Sequence, residues 1–105
     1  RSKDMEISEM VDAIKGFSGE KQNARDYLDI YTLWFRDVLL YKATKEVDSL
    51  IFKEEISAIR ERAASSSYEG LEKILEAIRQ ADDRLRANVN FELTMELLYL
   101  TMKEY

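Results

Sequence analysis

Ala24-Arg25-Asp26-Tyr27-Leu28-Asp29-Ile30-Tyr31-Thr32-Leu33-Trp34-Phe35-Arg36-Asp37-Val38-Leu39-Leu40-Tyr41-Lys42 is the stretch whose reading decides the fold. It holds the only Trp and three of the six Tyr, and it contains neither Gly nor Pro. Successive residues set about 100° apart, as in an α-helix, bring Ala24, Tyr27, Leu28, Tyr31, Trp34, Phe35, Val38 and Leu39 onto one broad face. Ile30, Leu33 and Leu40 fall towards the other side. A helix that is apolar on two sides is either buried on both or has a partner to meet. The spacing therefore predicts a long hub helix over about 20–44, on which the rest of the chain leans.

Composition agrees with a helical domain. The 105 residues carry three Gly and no Pro, so turn punctuation is sparse, and strong helix formers dominate. This length fits one domain with one core. The chain has no Cys and no His, which excludes disulfides, thiolate nucleophiles, imidazole bases and Cys/His zinc sites. With 16 basic and 21 acidic residues the net charge is −5, which argues against a dedicated nucleic-acid surface. No apolar run is long enough to span a membrane, and no signal peptide is visible.

Outward from the hub, Ile7, Met10, Val11, Ile14 and Phe17 predict a one-faced first helix over 4–17, closed near Gly16, Ser18 and Gly19. Residues 45–52 break the period and read as a connection. A short third helix is predicted over 53–64, with Ile56, Ile59 and Ala63 inward. Ser66-x-x-Glu69 fits a capping box for a fourth helix over 67–87, whose inner face is Leu71, Ile74, Leu75, Ile78, Ala81 and Leu85. Asn90 is the predicted N-cap of the last helix. There Phe91, Met95, Leu98, Met102 and Tyr105 share one side, and Leu93, Leu97 and Leu100 the other. The expected architecture is all-α, a five-helix bundle with a long central second helix.

Little in the chain suggests chemistry. Glu54-Glu55, Asp82-Asp83 and Asp26/Asp29 are carboxylate pairs, but each lies on a polar helix side near Arg or Lys, as a solvated, ion-paired face does. There is no Glu-x-x-His pair for a di-metal bundle and no GxxxxGK[ST] phosphate loop. The field of Arg79, Arg84 and Arg86 is cancelled by Glu76, Asp82 and Asp83. No catalytic, cofactor or metal site is expected. The second apolar faces have two readings: they fill both sides of a central helix, or they form an exposed surface for a partner. The candidate residues for an interface with other subunits are Leu33, Leu40, Tyr41, Leu97, Leu100 and Tyr105, the tyrosines being of a type enriched at interfaces.

The run Trp34-Phe35-Arg36-Asp37-Val38-Leu39-Leu40-Tyr41-Lys42 resembles a W-x-R-D-hydrophobic-hydrophobic-hydrophobic-x-K signature. This is the signature of the C-terminal domain of the bacterial DNA polymerase III delta-prime clamp-loader subunit. The resemblance continues through Glu76-Ala77-Ile78, Ala81, Leu85, Asn88-Val89-Asn90, Leu93 and Glu96-Leu97-Leu98. It implies an all-helical collar domain that follows two AAA+ modules and joins the matching domains of the delta and tau/gamma subunits. The loader so held places the sliding clamp on primed DNA in the bacterial cytoplasm, using ATP bound elsewhere. Residues 1–105 would then be one non-catalytic oligomerisation domain, a C-terminal piece of a longer subunit. The competing class is a stand-alone helical adaptor that dimerises through the same faces. Arg36 is expected to pair with Asp29 or Thr32, or across to another helix.

Overall fold

The computed structural model describes residues 24–105, with the side chains of Ala24 and Arg25 excepted. The described residues form four α-helices and no strand: α1 (Ala24–Thr44), α2 (Ile56–Ser65), α3 (Tyr68–Arg86) and α4 (Phe91–Glu104), with a 3-10 turn, Lys53–Glu55, leading into α2. The radius of gyration is 13.2 Å. The helix expected over 4–17, and the start of the hub before Ala24, lie outside the described residues.

The inner face of α1 is the one its spacing predicts. Leu28, Tyr31, Trp34, Phe35 and Val38 are buried, and Tyr27 and Leu39 are partly buried against the same core. α1 packs on both α2 and α3, and α4 packs on α3. The expected long central helix gives way to a shared arrangement, because α3 is the element that touches both α1 and α4. α3 buries Leu71, Ile74, Ile78 and Ala81, the predicted stripe. α4 buries Thr94, Met95, Leu98 and Met102 along a single side. Phe91, assigned to that side by its spacing, is exposed, because it sits in the first turn, ahead of the packed part.

Polar contacts set the corners. Lys45 and Asn88 both take φ of 61°, the left-handed conformation that turns the chain out of α1 and α3. Asn90 caps α4 as predicted, its Oδ1 accepting the Leu93 amide at 2.9 Å. The expected capping box of Ser66 and Glu69 is not formed, because the N-cap lies one residue later and Gly70 then holds the position that would return the bond. Ser67 caps α3 by accepting the Gly70 amide at 2.9 Å, while Ser66 is buried and its hydroxyl donates to the Tyr105 carbonyl. Gly70 leaves room for that arrangement, since an added Cβ would lie 3.1 Å from the Tyr105 Cβ. The third helix is shorter than expected, its first turn being 3-10.

Candidate functional site

Three of the four named residues of the W-x-R-D…K run turn inward and hold the domain together. Trp34 is 2% exposed and lies against Phe52, ring centroids 5.4 Å apart. Asp37 is buried, and its Oδ2 accepts the Phe52 amide at 2.8 Å. A buried carboxylate stands only if it is hydrogen-bonded, and this bond anchors the otherwise irregular 45–52 connection to α1. Lys42 donates from Nζ to the Ala63 carbonyl at 2.8 Å, covering the last turn of α2, and its ammonium sits 5.1 Å from the Tyr68 ring centroid. A cation at a helix C-terminus meets the negative end of the helix dipole.

Arg36 is the fourth, and it points out. It is exposed and has no hydrogen bond or ion pair among the described residues. The expected pairing is therefore absent: Thr32 instead donates to the Leu28 carbonyl, and no carboxylate stands three or four positions from Arg36 on the helix. Beside Arg36 runs an open groove of about 690 Å³, walled by Leu33, Leu40, Ile51, Tyr68 and Leu75. Arg36 is the sole exposed charge in its lining, because the only other charged residue there, Asp37, is buried.

The candidate contact residues separate into different settings. Leu33 is half-buried and Leu40 exposed, both in the groove wall. Leu97 and Leu100 are 40% and 59% exposed and, with Leu93, make an apolar ridge along the outer side of α4. Tyr41 is buried, and its hydroxyl accepts from Arg60 Nε at 3.2 Å. Tyr105 is half-buried, with the Lys73 ammonium 4.9 Å from its ring centroid. Tyr41 is buried and only Leu33 and Leu40 line the groove, so the six residues do not form a single exposed lining. Ile51 and Tyr68, both exposed in the groove wall, escape a reading of the sequence because a connection and a first helical turn have no period to read.

Several surface charges of α3 pair within that helix. Arg79 binds Glu76 and, at 2.9 Å, Asp83; Arg86 binds Asp82 at 3.0 Å. Hydrogen bonding to Arg79 holds the Glu76 carboxyl below its usual range. Between α1 and α4 the Tyr31 and Tyr99 hydroxyls meet at 2.7 Å. Burial, then that bond, push the Tyr31 phenol well above its ordinary ionisation. Among the described residues no three His, Cys, Asp or Glu gather as a metal would require, and no helix is long and apolar enough to cross a membrane.

The family described as DNA polymerase III, delta subunit, C terminal matches residues 8–104. DNA polymerase III subunit delta' of Bacillus subtilis (strain 168) is 33% identical over 88 residues, 84% of this chain. The chain spans 26% of that relative's length. No solved structure matches. With the match to the family model running over residues 8–104, the chain belongs to the family of C-terminal domains of the DNA polymerase III delta subunit, and it is similar to subunit delta'.

Proposed function

We propose that this chain is a non-catalytic assembly domain of a bacterial clamp loader, the collar part of a delta-prime subunit. It would join the corresponding domains of the delta and tau/gamma subunits in the cytoplasm. One observation carries the proposal: a bundle with a filled core leaves Leu93, Leu97 and Leu100 exposed along one helix and an apolar groove open on another. Contiguous apolar surface of this kind marks a contact site. At about 25 cal/mol per Å² of apolar area, covering it supplies the gross driving force that association costs must be set against. The family match supports assembly as the purpose of that surface. On this reading the clamp-loading ATP chemistry lies elsewhere in the longer subunit, and this domain holds neighbours in register.

The test is light scattering on a sizing column, with the chain alone and then mixed with the collar domains of the delta and tau/gamma subunits. A monomer that enters a larger species only in the mixture is the expected result. Leu97→Asp and Leu100→Asp should keep full helicity and lose that species. A homodimer indifferent to the added subunits would overturn the collar reading in favour of a self-associating adaptor.

A further inference from the structure

We infer that Arg62 of α2 is a positioning residue for assembly. Its buried guanidinium fixes α4 at one height on the bundle, and so sets the pose in which Leu93, Leu97 and Leu100 meet a neighbouring subunit. The inference rests on the assembly reading above and adds to it the residue that aligns the contact surface.

Arg62 is 2% exposed. A guanidinium does not shed its proton in a protein, so a buried one must be compensated by directed contacts. Its Nη2 donates to the Met102 carbonyl on α4, and its guanidinium carbon lies 5.4 Å from the Phe35 ring centroid on α1. One side chain of α2 thus ties three helices together. The Met102 carbonyl is among the last four of α4, which a helix cannot satisfy with its own amides. Ser66, in the link between α2 and α3, does the same service for the Tyr105 carbonyl. The other end of α4 is capped locally by Asn90, and there Phe91 and Leu93 are exposed. The end held from outside is the C-terminal one.

Apolar packing does not by itself provide this hold. Met95, Leu98 and Met102 press α4 onto the core, but that attraction has no direction along the helix axis. A hydrogen bond has both a length and an angle. A slip of one residue advances a helix by about 1.5 Å and turns it by about 100°, which would carry the ridge off its bearing. Well-packed apolar side chains often replace a buried charge without loss of stability. What Arg62 supplies beyond stability is one fixed pose for the ridge.

Arg62→Met tests this, with Val38→Ala as the control, a core truncation that removes none of these bonds. Relative to α1 and α3, amide exchange in α4 should quicken in Arg62→Met and not in Val38→Ala. Affinity for the delta and tau/gamma subunits should fall about tenfold in Arg62→Met, as a displaced contact surface predicts, and stay at the parent value in Val38→Ala. Ser66→Ala should move both readings in the same direction by a smaller factor, and it decides the matter if Arg62→Met does not fold. Parent affinity in Arg62→Met overturns the inference. So does exchange in α4 no faster than in its neighbours, or an equal loss of affinity in Val38→Ala, which would make the effect one of general stability. A parent chain that binds the subunits beside an Arg62→Met variant that binds them equally well leaves the collar reading standing. A parent chain that binds neither subunit overturns the collar reading, and the alignment role with it.

Discussion

The carboxylate of Asp37 accepts the backbone amide of Phe52 at 2.8 Å, fifteen residues along the chain and out of contact with solvent. This one bond fixes where the 45–52 connection returns to α1, and it brings Phe52 against Trp34. Asp37→Ala would leave a buried amide without an acceptor, which costs about 2–3 kcal/mol. Asp37→Asn retains a carbonyl oxygen and should cost about 1 kcal/mol, the difference between a charged and a neutral acceptor. Urea unfolding of the two variants gives both values.

Neighbouring leucines on α4 should behave in opposite ways. Leu98 is 1% exposed and Leu97 is 40% exposed. Leu98→Ala opens a cavity in the core and should cost about 3 kcal/mol. Leu97→Ala should change stability by less than about 0.5 kcal/mol. Equal losses at the two positions would mean that α4 is buried on both sides within the monomer.

The displaced cap offers a third comparison. Ser67 satisfies the Gly70 amide at the start of α3, and Ser67→Ala should cost about 1 kcal/mol. Asn90→Ala at the start of α4 should cost a similar amount, about 1 kcal/mol, for the same reason. Ser66→Ala should act elsewhere, loosening Tyr105 at the far end of α4. Hydrogen exchange would place the two serine effects in different helices.

Stability should fall in alkali. Burial and the Tyr99 bond raise the Tyr31 phenol above its ordinary value of 10.0, so the folded chain keeps a proton that the unfolded chain releases. The sign follows: this contribution is complete below pH 10 and diminishes as pH climbs from there towards the raised folded value. Unfolding midpoints should therefore decline above about pH 10. Tyr31→Phe should start less stable and flatten that decline.

Much of the fold is legible in the sequence, for reasons particular residues make plain. The inner faces of α1 and α3 follow from period alone, since Tyr31, Trp34, Phe35, Val38, Ile74 and Ile78 leave the helix in one direction. Asn90 can be read because a short polar acceptor just ahead of an apolar run has one common use. Ser66 and Ser67 cannot be separated, because both precede the helix and only the route of Tyr105 decides which is free to cap. For Asp37, nothing local reveals that a distant amide needs an acceptor. Tyr41 lies only about 20° from Trp34 on the wheel, so its burial is open to inference, but its place near the helix end draws it towards the contact surface instead. The groove depends on how the 45–52 connection folds back, which is set by tertiary contacts and has no periodic trace.

The single Trp has a practical consequence. Trp34 is sealed against Phe52 at the centre of the bundle, far removed from water, and the groove and ridge contain no second indole. Its emission therefore tracks the integrity of the core and is blind, to first order, to the outer faces. The rings of Tyr68 and Tyr105 lie nearer the surface. Fluorescence and mass can then be followed on one sample as independent coordinates, so that losing a neighbour and losing the fold are separately visible without attaching a label.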